Sequence, residues 1–341
     1  SYTVEGNPSG FPGTFGLAPG KVESDSNYFY IPQFGANWRL NDSNYIGLVA
    51  YGHGGMNTDY PTNTYGAESP TGVNLEQLFV GVPWAFNYNN QHAFSIMPIF
   101  VYQTFEAQGV SSFQLFSADP ANLSNNGSST STGYGAKLGY LGQFGEKFNF
   151  GISYQTKMSM GEFTDYAGLF AEQGGFDIPS SWTFGFAVKP STNWAFLLDF
   201  QRINYSEVNS INNPLLPNLQ QSRLGDDDGA GFGWQDMDIV KLGLQYDMTS
   251  WVWRAGISFG AQPIPASEVI FNILAPGVME EHLTFGFTKP IGDTMALDFA
   301  LMYAPEIEVS GVNPLEFPGA QSITLAMDQW EISLNYAWGI K

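Results

Sequence analysis

The chain has 341 residues, no cysteine and a formal net charge of −20. The missing cysteines exclude a disulfide framework and a thiolate metal site, and the acidic balance excludes the basic surface that nucleic-acid binding requires. No run approaches the roughly 18 apolar residues of a membrane-spanning helix, yet aromatics reach 16% and charged residues only 13%. That charge content is low for a soluble protein of this size, with a soluble all-β fold left as the alternative to a membrane one.

From the N-terminus, Ser1–Glu5 reads as the end of a strand, followed by a long loop from Gly6 to Asn27. Thirteen amphipathic segments follow, and the gaps between them alternate in length. The short gaps are Asn41–Asn44, Asn87–Gln91, Gly145–Lys147, Lys189–Asn193, Asp247–Ser250 and Lys289–Asp293. The long gaps are Asn57–Gly72, Ala107–Thr132, Gly161–Pro179, Glu207–Asp236, Gln262–Glu280 and Pro305–Ala326. Short turns on one side and long loops on the other are the layout of an outer-membrane barrel. The expectation is an all-β fold: a 14-stranded antiparallel transmembrane β-barrel with long extracellular loops, one domain over residues 1–341. An even count returns the last strand to the periplasmic side.

The strands carry the matching two-residue period. Phe148, Phe150, Ile152 and Tyr154 oppose Asn149, Gly151, Ser153 and Gln155. Trp182, Phe184, Phe186 and Val188 oppose Thr183, Gly185 and Ala187, and Trp330, Ile332, Leu334, Tyr336 and Trp338 oppose Glu331, Ser333 and Asn335. One face suits lipid, with aromatics near the strand ends as an interfacial girdle. The other face is small and polar, as a lumen requires.

Parity turns Arg39, Lys137, Lys157, Lys241 and Arg254 inward, with Asp199, Asp298 and Glu331. A charge facing lipid costs several kcal/mol near the midplane, so the lumen is also the favourable side. These groups read as ion pairs stiffening the wall. The alternative is that Arg39, Lys157, Lys241 or Arg254 receives a substrate carboxylate. His53-Gly54-Gly55 interrupts the strand Tyr45–Asn57, and glycine tolerates the dihedrals of a bulge; the plainer reading is the start of a loop. Two long loops offer an apolar landing site. Phe113, Leu115 and Phe116 precede Asp119-Pro120, a helix start; Tyr166, Leu169 and Phe170 have helical spacing behind Thr164 or Asp165. Simple loop packing is the competing account. Asp226-Asp227-Asp228-Gly229 lacks the spacing of a calcium loop and reads as solvated. His53, His92 and His282 lie apart, so neither a metal site nor a catalytic triad is expected, and no cofactor.

Several stretches resemble the FadL family of outer-membrane transporters for long-chain fatty acids and other hydrophobic compounds. They are Pro263–His282 with its Phe271-Asn-Ile-Leu-Ala-Pro-Gly277 core, Pro179–Ala187 continued by Leu198–Tyr205, Gly231–Asp236, and Tyr51–Tyr60. The resemblance runs from about Tyr28 to Trp338. It implies a hatch domain before residue 1 and a fuller first strand, neither of which is in this sequence. It also implies capture of substrate by the extracellular loops, and lateral exit through a wall gap at a kinked third strand, here near His53, Gly54 and Gly55. A monomer among outer-membrane lipid and lipopolysaccharide is the family precedent. The expected work is passive uptake of a hydrophobic small molecule, without enzymatic chemistry. The rivals are a water-filled diffusion porin and a structural or adhesive barrel.

Overall fold

The alternating segments pair into one antiparallel sheet of seventeen strands, seen in a computed structural model that describes residues 1–339. The last two residues of the expected 1–341 domain lie outside it. The strands are β1 (Tyr2–Glu5), β2 (Gly20–Val22), β3 (Phe34–Arg39), β4 (Asn44–Asp59), β5 (Gly72–Gly81), β6 (Trp84–Asn89), β7 (His92–Gln108), β8 (Ser129–Phe144) and β9 (Phe148–Gln155). They continue as β10 (Ser159–Met160), β11 (Ser181–Val188), β12 (Trp194–Ile203), β13 (Met237–Asp247), β14 (Val252–Gly260), β15 (Glu281–Ile291), β16 (Met295–Val312) and β17 (Ser322–Trp338).

These seventeen occupy fourteen positions in the wall, because three expected strands are each broken in two. β2 and β3 share the second position. β5 and β6 both lie between β4 and β7. β9 and β10 both pair with β8. Proline explains the second break: Pro83 lacks an N–H and follows the end of β5, while its carbonyl accepts a bond from Gly47.

The ends of the sheet meet through β1, which pairs with β17 on one edge and β2 on the other. Beyond β2 the Asp25 N–H donates to the Asp59 carbonyl at the tip of β4, and β3 pairs with β4 below. Consecutive strands are joined as hairpins around the rest of the wall.

The outward face is apolar and exposed, including Trp330, Ile332, Leu334 and Trp338 on β17. Aromatic pairs mark its two rims. Tyr303 stacks on Trp330 at 4.2 Å between centroids toward the loop side, and Trp194 meets Tyr246 at 4.4 Å toward the turn side. Such rims fit the headgroup zones of a bilayer. Lys289 also lies over the Trp251 ring at 5.0 Å near a short turn.

The gap expected over Pro305–Ala326 is mostly strand. β16 runs on to Val312 and β17 begins at Ser322, with a bulge between Ala304 and Ile307. Ile307 and Val309 face the buried Ile323 and Leu325 side of the sheet, so packing extends the hairpin beyond the membrane rim.

Phe299 lies midway along the lipid-facing part of β16 and stacks on Phe287. Phe299→Arg is expected to destabilise the barrel by about 2–4 kcal/mol, the range for a cation at the bilayer midplane. The lumen-facing neighbour change Ala300→Ser should cost far less. Urea unfolding from lipid vesicles measures both.

Candidate functional site

At the loop end of the barrel the connections fold inward and build a core of their own. Tyr60, Tyr65, Phe105, Phe113, Phe163, Tyr166, Leu224, Ile270 and Ile273 are buried together there. The segment between β14 and β15 sits at the centre, in two short 3-10 turns, Ala266–Glu268 and Phe271–Ile273. Its free carbonyls need partners because water is excluded. Tyr60 donates to Ile273 at 2.8 Å, Tyr65 to Ile270 at 2.7 Å and Thr58 to Leu274 at 2.9 Å. Burial raises the pKa of Tyr65 far above its ordinary value, so its hydroxyl stays a neutral donor.

Asn272 is the tie between loops. Its amide donates to the carbonyls of Phe232 at 2.7 Å and Glu268 at 2.8 Å, and its oxygen accepts from the Trp234 indole at 2.6 Å. Glu268, also buried, accepts from the Leu215 N–H at 2.8 Å. The 262–280 and 204–236 loops are thereby locked as one roof.

Beneath this roof lies an apolar cavity of about 20 Å³, between Val73, Phe105, Phe113, Leu169, Phe170, Leu224, Phe232, Phe271 and Leu274. That is room for one water, so a larger guest must displace a loop. Of the six residues expected to form a loop groove, Phe113, Leu169 and Phe170 line the cavity. Tyr166 is fully buried beside it, and its hydroxyl accepts from the Ala107 N–H at 3.0 Å and donates to the Gly127 carbonyl at 2.7 Å. Leu115 and Phe116 turn outward, Leu115 with 94% exposure.

The two facing helices expected there do not form. Ser111–Phe116, Pro120–Asn122 and Thr164–Tyr166 are 3-10 segments of one or two turns. Asp119 caps nothing; its carboxylate accepts from the Asn122 amide at 2.7 Å. Glu172 and Gln173 adopt φ of 58° and 55°, a left-handed bend that a right-handed helix cannot continue through. Aromatic packing fixes these loops instead: Phe105 contacts Tyr166 at 4.9 Å and Phe170 at 4.6 Å. The sequence reading passed over Phe105, Phe232, Phe271 and Leu274 as lining residues. The Phe271–Gly277 stretch was the available signal.

Below the roof, β4 loses register with β5 between Gly52 and Gly55, so one extra residue enters β4. The bulge holds His53 on the lumen side, stacked on Phe79 at 4.2 Å and 6°. Its Nε2 lies 3.4 Å from the Gln155 amide nitrogen on β9. Phe79, Ile99, Val101, Met158 and Ile178 form a second buried apolar cluster around this point. Gly52 and Gly54 have little room for a side chain: an added Cβ would sit 2.7 Å from the Ile31 side chain and 2.9 Å from the Gln77 amide oxygen, respectively. On its far edge β4 pairs with β3 only from Tyr45 to Ala50. Among the described residues, no strand pairs with that edge from Tyr51 to Thr58.

The inward charges divide. Lys241 lies opposite Asp199 in register. Arg254 donates to Gln245 at 3.0 Å and Thr288 at 2.7 Å, and Thr288 and Asn335 both donate to Asp298. Arg39 does not join them: it bonds to Asp42 and the Asn41 carbonyl in its own turn. Lys157 is also displaced from the expected set. The break at Thr156 shifts the pleat, Met158 takes the inward place, and Lys157 pairs with Asp177 at 2.8 Å on the opposite face. Farther down, Ser95, Gly139, Ser153, Thr183 and Asp199 border an open cavity of about 490 Å³.

Asn272→Leu keeps the volume but strands two carbonyls and an indole N–H. The roof should lose about 1–3 kcal/mol for each buried group left unsatisfied. Hydrogen exchange should quicken across 204–236 and 262–280, with the wall strands unchanged.

A family described as outer membrane protein transport protein (OMPP1/FadL/TodX) matches residues 11–314. Among solved structures, the toluene transporter TodX of P. putida superposes with a TM-score of 0.72 at 15% identity, over 99% of this chain and 87% of that one. A Pseudomonas aeruginosa FadL homologue gives 0.67 at 13% identity, over 99% and 87%. The CymD monoaromatic hydrocarbon channel gives 0.61 at 18%, over 99% and 86%. At such identities the superpositions speak for the fold. No curated protein matches. The chain belongs to the OMPP1/FadL/TodX family, as an outer-membrane transport protein and not an enzyme.

Proposed function

We propose that this transporter carries hydrophobic small molecules, long-chain fatty acids or hydrocarbons, passively across the outer membrane. The molecule first settles on the exposed Leu115 and Phe116 and then displaces the roof to occupy the cavity edged by Phe113, Leu169 and Phe170. It leaves sideways at His53, Gly54 and Gly55. The observation that carries this reading is the register break in β4 beside an edge without ladder partners. Unpaired backbone is costly in hydrocarbon and is tolerated where it borders a cavity. A bulge there, directly under an apolar roof, fits an exit for molecules that prefer lipid to water. Lys241 and Arg254 are then wall-bracing groups, since both face or bond to polar partners in the lumen. The protein acts as a single chain embedded among lipid and lipopolysaccharide.

A water-filled pore is the second reading, favoured by the open cavity of about 490 Å³ low in the lumen. The closed apolar roof weighs against it, because a polar solute would have to cross a core that excludes water. No part of either reading needs an energy source: differential affinity moves the molecule down its gradient.

Deleting Gly54 restores the β4–β5 register. Lateral exit predicts that uptake of a labelled hydrocarbon by cells falls by an order of magnitude or more, while binding to the purified protein persists. Undiminished uptake by a correctly folded deletion variant would remove the lateral route and favour the pore.

A further inference from the structure

We infer that the molecule captured under the roof is electrically neutral, a hydrocarbon or an alcohol-like compound rather than a fatty-acid anion. This rests on the transport reading above and narrows its substrate class.

The first observation is how the charges are distributed along the barrel. Of the acidic residues, Asp42, Glu146, Asp247 and Asp293 belong to the short turns, and Asp199, Asp298 and Glu331 to the lumen face. All the others lie in the long loops and on the loop-side ends of the strands. The basic residues are arranged the other way. Arg39, Lys147, Lys189 and Lys289 belong to the short turns or the strand ends beside them, and Lys137, Lys241 and Arg254 to the lumen face. On the loop side, Lys21 is paired with Glu23 at 3.0 Å, Arg202 with Asp236 and Asp238, and Lys157 with Asp177. Arg223 stands next to Asp226, Asp227 and Asp228. The mouth therefore carries a strongly negative field, which lowers the local concentration of anions and slows their arrival.

The second observation is independent of the first. No basic side chain lines the roof cavity. Its one polar side chain, Ser210, donates to the Gly175 carbonyl at 2.5 Å. A carboxylate brought there would lose its hydration and gain no partner, a cost of several kcal/mol or protonation of the acid. Lys137 and Lys241 lie deeper, on the lumen wall, where they are reached only after the roof has been passed. The entry step selects against charge before any lumen cation can compensate for it.

A matched ligand pair tests this with the full chain purified in detergent. 1-Dodecanol and dodecanoate share a chain and differ in the headgroup. Calorimetry at neutral pH and low salt should give about tenfold or greater preference for dodecanol. The gap should narrow as salt rises, because the screening length falls from about 30 Å at 0.01 M to about 10 Å at 0.1 M. Asp227→Asn with Asp228→Asn should strengthen dodecanoate binding and leave dodecanol unchanged. Equal or tighter binding of dodecanoate at low salt overturns the inference and leaves the transport reading standing. Failure of both ligands to bind overturns the transport reading itself.

Discussion

Hydrocarbon offers the backbone no hydrogen-bond partner, and that constraint organises this molecule. Every peptide group inside the bilayer must be paired by the protein itself, which only a helix or a closed sheet achieves. No helix among the described residues is long and apolar enough to cross a membrane, and the strands pair as consecutive hairpins. The hairpin ladder then fixes which side chains meet lipid, which meet the lumen, and at what height the aromatic rims stand. Apart from the β4 edge from Tyr51 to Thr58, departures from the ladder fall where another partner is at hand. Pro83 interrupts β5 and β6 where its own carbonyl is used by Gly47. The β4 bulge opens toward the lumen, where His53 finds Phe79 and Gln155.

The same accounting governs the roof, with a different solution. Irregular loops pair only part of their own backbone, so side chains serve the rest. Asn272, Tyr60, Tyr65, Tyr166 and Thr58 each spend a polar group on a buried carbonyl or N–H from a distant segment. Around those bonds the loops bury large aromatics. The result is a second core at the loop end of the barrel, almost without free volume. The closed roof stands over a wall whose register break in β4 lies beside an edge without ladder partners among the described residues, the pairing of features on which the proposed lateral exit rests.

Charge follows from the same architecture. Lipid-facing positions near the midplane disfavour ionised groups, so most acids gather in the loops, while the bases divide among the turns, the lumen and ion pairs on the loop side. Within the lumen, polar side chains link Arg254 through Thr288 to Asp298, and that network spans three adjacent strands. It braces the wall below the roof.

Much of the wall was legible from sequence. The two-residue period, the alternating gap lengths and the aromatic strand ends are local signals, set by the pleat and by the bilayer. They identified the fourteen wall positions and the lipid faces, and the glycines of β4 stood out as a place where a ladder could slip. What local pattern could not carry was register after an interruption. Lys157 was placed inward by counting, but the break at Thr156 reversed it, and Arg39 found a nearer partner in its own turn. The loops were harder still. Phe113, Leu169 and Phe170 read as apolar, yet Phe232, Phe271 and Leu274 join them through contacts between segments far apart in the chain, and the helices expected there yielded to aromatic packing. The sequence by itself determined the sheet, its faces and its membrane. Only the tertiary structure decided the roof and its cavity, because those depend on which loops meet once the barrel has brought their ends together.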